Sequence, residues 1–147
     1  MITLRTARVE DAAEVARLAG ELGYPADVDT MQARLRILLP LTQHRIVVAP
    51  GERDGLLGWI AVERRPTLES GERIEIVGLV VDAAARGSGV GRALVGDAER
   101  WAREQGFDAI AVRSNVTRAE SHPFYERLDY VRVKTQHAYR KPLVADH

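Results

Sequence analysis

The sequence predicts an α/β protein built on a mixed, mostly antiparallel sheet of about six or seven strands with about four flanking helices. Three features predict it. Short strand-like segments alternate with amphipathic helical ones along the chain. One segment ends in the continuously apolar Leu79-Val80-Val81, as a strand covered on both faces does. A glycine-rich turn and a helix join that segment to the next strand, a connection that implies a parallel pair.

Taken in order, residues 2–7 alternate apolar and polar, the pattern of a half-buried strand. Asp11 is placed to cap a helix carrying Val15, Leu18, Ala19 and Leu22 on one face, and Gly23-Tyr24-Pro25 stops it. A second helix is expected over about 28–39, ending before Pro40. Residues 45–49 and 56–63 read as two strands around Pro50-Gly51-Glu52-Arg53-Asp54-Gly55, a hairpin. The polar stretch 64–71 reads as a loop. Residues 73–81 form the fourth strand, 89–105 a helix closed by Gly106, and 108–114 the fifth strand. A short helix near 119–128 and strands over 130–134 and 136–141 complete the order β-α-α-β-β-β-α-β-α-β-β.

The 147 residues suit a single domain, 1–147, able to bury a full core without disulfides or metals. Basic and acidic residues balance at 21 each, and no lysine- or arginine-rich block offers a face for nucleic acid. There are no cysteines, so a cysteinyl acyl-enzyme and zinc-thiolate sites are excluded. His44, His122, His137 and His147 have no metal-site spacing. No apolar run is long enough to span a membrane, and the first residues lack a signal-peptide core, so a cytoplasmic location is expected.

The most informative segment is Arg86-Gly87-Ser88-Gly89-Val90-Gly91-Arg92, between a buried strand and a helix. A helix N-terminus presents unpaired N–H groups and the positive end of the macrodipole, which suits a phosphate. Glycines let the backbone approach the oxygens, and Arg86 or Arg92 would add charge-assisted bonds. The same pattern also reads as a plain strand-to-helix turn with glycine caps. A Walker loop needs Gly-Lys-Ser/Thr where Gly91-Arg92-Ala93 stands, and a Rossmann fingerprint needs glycine where Leu94 stands. A different phosphate ligand is implied.

Here the chain resembles the GNAT superfamily of acyl-CoA-dependent N-acetyltransferases. The family signature, Arg/Gln-x-x-Gly-x-Gly/Ala after the fourth strand, is matched by Arg86, Gly89 and Gly91. A second pattern follows as Ser114-Asn115, Arg118-Ala119 and Phe124-Tyr125-Glu126-Arg127-Leu128-Asp129-Tyr130. Asp129 replaces the usual glycine, and aspartate tolerates the left-handed backbone better than most residues. Pro123 suits a first turn of its short helix.

The resemblance implies the GNAT fold, in which the fourth and fifth strands splay and the pantetheine arm of acetyl-CoA lies between them. Backbone groups of Leu79, Val80 and Val81 would pair with that arm, amides from Arg86 to Arg92 would hold the pyrophosphate, and Asn115 would touch the arm from the fifth strand. No metal is implied. Acetyl transfer needs a neutral amine, whereas a free alkylammonium titrates near about 10.4. The resemblance points to Glu75 as the base, in competition with a water relay and with the reading of Glu75 as a solvated strand residue. Tyr125 would protonate the departing thiolate, and a backbone N–H near Leu79 or Val80 would hold the oxyanion.

The acceptor pocket of the family would here use residues 22–28, 64–72 and the region of His137 and Tyr139, with Tyr24 as an apolar wall and Glu69 or Glu72 attracting a cation. Trp59 and Trp101 read as core or interface residues. The first reading is an enzyme acetylating the primary amine of a small molecule; a protein α-amine or lysine acceptor, and a non-catalytic acetyl-CoA-binding module, stay open. A homodimer pairing through terminal strands or helices is also implied.

Overall fold

The computed structural model describes residues 2–113 and 121–144, and the chain divides into two compact units, 1–113 and 114–147. The first unit holds a five-stranded sheet in sequential order: β1 (Arg5–Thr6), β2 (His44–Pro50), β3 (Leu56–Thr67), β4 (Gly71–Val81) and β5 (Ala111–Val112). Its neighbours are antiparallel except β4 and β5, which run parallel. Helices α1 (Ala12–Glu21), α2 (Val28–Leu38) and α3 (Val90–Glu104) complete it.

Alternation along β2 assigns the helices to opposite faces. Ile46 and Val48 join Val15, Leu18, Met31, Leu35, Leu56 and Val80 in the cluster beneath α1 and α2. Between them, Arg45 reaches the other way to α3, where its Nε donates to Asp97 Oδ1 at 2.8 Å. Ile60, Val62, Ile74, Val90, Leu94 and Val95 are fully buried. A Cβ on Gly58 would stand 2.7 Å from the Val80 carbonyl oxygen and 3.2 Å from Leu94 and Val90, so only glycine lets α3 and β4 close on β3 there.

Local chemistry accounts for the element ends. Asp11 precedes α1 but makes no side-chain cap bond. Its carboxylate instead accepts from both terminal nitrogens of Arg5 and from the Arg8 N–H, each at 2.8 Å. Helix α2 has the conventional cap, Asp27 Oδ1 accepting from the Thr30 N–H at 2.7 Å. The hairpin between β2 and β3 closes through the Gly51 N–H to the Gly55 carbonyl at 2.8 Å.

Two expectations are corrected. Residues 64–71 are not a loop: β3 runs on to Thr67, and β4 begins at Gly71. Their charges are matched in place, Arg64 donating to both Glu72 oxygens at 2.7 and 3.0 Å, and polar strand residues that are paired need no loop to solvate them. Among the described residues the sheet has five strands rather than six or seven. The predicted strands at 130–134 and 136–141 carry no ladder among the described residues, and Val131 and Val133 are exposed. A strand exists only where a partner takes its hydrogen bonds, which local alternation does not guarantee.

The second unit contains α4 (Ser121–Arg127), with Pro123 in its first described turn. Asp129 follows it at φ 69°, the left-handed conformation expected at that turn.

Candidate active site

Strand β4 is bordered by β3 along its whole length, but among the described residues β5 pairs with it only at Glu75 and Ile76. The β3 ladder passes from Ala61–Gly78 to Val62–Ile76, which leaves Val77 as an extra residue. A bulge bends and twists its strand. This one stands where β4 parts from β5. Beyond it, the outer edge of residues 77–81 has no ladder partner among the described residues. Such an edge offers main-chain donors and acceptors to an extended ligand. Leu79, Val80 and Val81 lie on it, Val80 buried and its neighbours half-buried.

The end of β4 is anchored before the loop begins. The Asp82 N–H donates to the Leu57 carbonyl at 2.7 Å, and its carboxylate accepts from the Ala84 N–H at 3.0 Å and from Arg17 at 3.1 Å. The Ala84 amide first, then the Arg17 guanidinium, hold the Asp82 carboxyl below the usual carboxylate range. Arg17 also donates to both Glu14 oxygens, at 2.7 and 2.9 Å, so α1 and β4 are tied together.

In the loop, the Arg86 and Ser88 N–H groups turn back to the Ala83 and Ala85 carbonyls at 3.4 and 3.3 Å, and the Ser88 hydroxyl also donates to Ala85. Gly87 and Gly89 have φ of 81° and 91°, a region that side chains rarely enter. Gly89 caps α3 with no side chain, and the first ladder bond is Ala93 N–H to the Gly89 carbonyl at 3.0 Å. The N–H groups of Val90, Gly91 and Arg92 therefore have no intrahelical acceptor. They stand at the positive end of a 15-residue helix, with exposed Arg86 and Arg92 nearby in the chain. A diphosphate fits this donor set.

Glu75 is buried, 4% exposed, although it lies on a strand between two isoleucines. It is not solvated. Arg65 Nη1 donates to its Oε2 at 2.9 Å, while Arg73 Nη2 and Arg113 Nε approach Oε1 at 3.4 and 3.6 Å. These three arginines did not stand out in the sequence. The available signal was Arg73-x-Glu75, a spacing that puts both on one face of a strand. Taking 64–71 for a loop concealed that Arg65 is the cross-strand neighbour of Arg73.

Tyr125 belongs to the second unit, where its ring packs edge-on against Phe124 and Tyr130 at 5.1 and 5.8 Å between centroids. Burial pushes its phenol up to about 12, so at neutral pH it is a proton donor. Asn115 lies outside the described residues, as does the side chain of His122. Glu72 is engaged by Arg64, Tyr24 is exposed, and Trp59 packs under α1 with its Nε1–H donating to the Val15 carbonyl at 3.3 Å. The His137 and Tyr139 rings lie 6.4 Å apart between centroids, tilted by 43°.

The sequence profile described as Acetyltransferase (GNAT) family matches residues 13–130, which includes β4, the glycine loop, α3 and α4. The chain belongs to the GNAT acetyltransferase family. It is an acyltransferase, and the family uses acetyl-CoA. An aminoalkylphosphonate N-acetyltransferase of Salmonella typhimurium is 33% identical over 133 residues, covering 86% of this chain and 83% of that one. An aminoglycoside N(6')-acetyltransferase type 1 of Stenotrophomonas maltophilia is 28% identical over 145 residues, covering 96% and 94%. The solved structure of an aminoglycoside N-acetyltransferase in complex with CoA superimposes with a TM-score of 0.84 at 17% identity, covering 96% and 95%, which shows the shared fold. Among the described residues of this GNAT chain, no helix is long and apolar enough to cross a membrane. No cluster of three or more metal-ligating side chains occurs among them either.

Proposed function

We propose that this GNAT enzyme, acting as one domain over 1–147, transfers the acetyl group of acetyl-CoA to the primary amine of a small molecule by direct attack within a ternary complex. The observation that carries this reading is the junction of β4 and α3. A strand edge freed by the Val77 bulge leads straight into a helix start whose Val90, Gly91 and Arg92 amides have no internal acceptor. The strand edge at Leu79, Val80 and Val81 aligns the pantetheine arm, the loop from Arg86 through Gly87, Ser88 and Gly89 to Arg92 holds the diphosphate, and Asn115 contacts the arm. Relatives named for an aminoalkylphosphonate and for aminoglycosides support a small-molecule acceptor.

In this reading the amine nitrogen attacks the thioester carbonyl, and a β4 N–H near Leu79 or Val80 stabilises the oxyanion. The nitrogen gives its proton to Glu75, directly or through a water. The C–S bond then breaks, and Tyr125 protonates the departing thiolate. Without a cysteine in the chain, no cysteinyl intermediate enters the route.

Calorimetry with CoA, followed by a thiol-release screen with acetyl-CoA over small amines, amino acids, aminoglycosides and peptides, tests the proposal. Binding of CoA with turnover of small amines is expected. Failure of the folded protein to take up CoA refutes it, and turnover confined to peptides moves the acceptor to a protein.

A further inference from the structure

The sheet face that carries Trp59 and Ala61 continues along β3 to Glu63 and Arg65, and β4 places Glu75 and Arg73 directly opposite them. Both cross-strand pairs are therefore like-charged, Glu63 with Glu75 and Arg65 with Arg73. Like charges in that position oppose strand pairing unless other groups compensate. A diagonal contact supplies part of the compensation, Arg65 reaching Glu75 at 2.9 Å, and along β3 the same guanidinium stands 3.9 Å from Glu63. Arg73 and Arg113 stand further off Glu75, at 3.4 and 3.6 Å. Among the described residues, three guanidiniums thus meet two carboxylates, which leaves one positive charge over.

A second observation points the same way. Arg73 Nε is buried and has no hydrogen-bond partner among the described residues. Native proteins retain few such groups, and one in a cationic cluster calls for an anionic acceptor. The place is also informative. Among the described residues, Glu75 and Ile76 are the β4 residues paired with β5, and the bulge follows at Val77, so the cluster sits where this pairing ends.

Resting on the acetyltransferase reading above, we propose that Arg65, Arg73 and Arg113 anchor the acceptor through an anionic oxygen group, so that the substrate class is amines bearing a carboxylate, phosphonate or phosphate. The planar guanidinium fork matches such groups. A polycationic acceptor meets repulsion at the same place and is selected against.

The test uses the full chain in the thiol-release assay at saturating acetyl-CoA. The acceptors are 2-aminoethylphosphonate, β-alanine, propylamine as the match that lacks an anionic group, and kanamycin as the polycation. At least one of the two anionic amines is expected to exceed propylamine in kcat/KM by about tenfold to a hundredfold, the worth of charge-assisted hydrogen bonds. Whichever leads identifies the anion. Arg73→Gln is expected to lower the ratio of the leading anion-bearing amine to propylamine about tenfold, mainly through KM. Arg113→Gln, at a side chain 62% exposed, lowers it in the same direction without endangering the fold.

Equal turnover of propylamine, preference for kanamycin, or an unchanged ratio in both variants overturns the proposal. Absence of transfer to every amine is a failure of the acetyltransferase reading instead. In that event a 31P NMR titration of 2-aminoethylphosphonate and calorimetry with β-alanine decide the anion site alone: binding weakened by Arg113→Gln upholds it, and absence of binding of both probes overturns it.

Discussion

Replacing Gly89 with alanine separates the backbone role of the glycine loop from its ligand role. Gly89 sits at φ 91° and ψ 4°, where an alanine costs about 1–2 kcal/mol. Its added Cβ would meet only Ile2 Cδ1, at 3.5 Å, an ordinary contact that adds no clash. The stability loss is therefore the backbone cost alone, and Tm should fall by roughly 2–8 °C for a chain of this size. The methyl group also occupies the approach to the Val90, Gly91 and Arg92 amides, so CoA affinity should fall at least tenfold, about 1.4 kcal/mol. Gly106 is the control. It has φ 89° with nothing within 4 Å of its Cβ, and it follows the opposite end of α3. Gly106→Ala should reproduce the drop in Tm, read by thermal denaturation, and keep wild-type CoA affinity, read by calorimetry. If Gly89→Ala loses the same stability yet binds CoA as wild type does, the amides at the start of α3 do not hold the diphosphate.

Tyr125→Phe should lower kcat by about a hundredfold or more with CoA affinity retained, and a rate near wild type removes the general acid. The pH dependence has a defined sign. The folded phenol titrates near about 12 and the unfolded one near about 10, so stability should decline as pH rises between these values. Denaturation of Tyr125→Phe across the same range should lack that component, and an identical decline refutes it. Glu75→Gln should reduce kcat about a hundredfold with CoA affinity retained, and a rate near wild type takes Glu75 out of the proton path. At low pH, the hydrogen bond from Arg5 depresses the Asp11 carboxyl, that from Arg17 depresses Glu14, and the Ala84 amide depresses Asp82. Their stabilisation is present above the unfolded values of about 4 and is lost as pH falls through the lower folded ones. Tm should therefore drop from pH 5 towards pH 2, less steeply in Asp11→Asn, and a flat Tm over that range contradicts the pairing.

Where an element is set by neighbours in sequence, it was legible. The helix after the glycine loop, its stop at Gly106 and the left-handed turn at Asp129 all follow from φ preferences and 3.6-residue periodicity. The glycine loop was legible for the same reason. Its donors are main-chain amides, and their availability is a local consequence of starting a helix behind a glycine. Residues 64–71 were misread because their polarity belongs equally to a solvated loop and to a strand whose charges are paired across the ladder.

Sequence by itself determined the order of the elements through β5 and the glycine-rich bend between β4 and α3, because both depend on contacts a few residues apart. Only the tertiary structure decided how many strands found partners, that Val77 bulges where β4 leaves β5, and that Arg65, Arg73 and Arg113 converge on a buried Glu75. Those depend on register between strands, and register is set by how whole faces pack rather than by any residue's own preference.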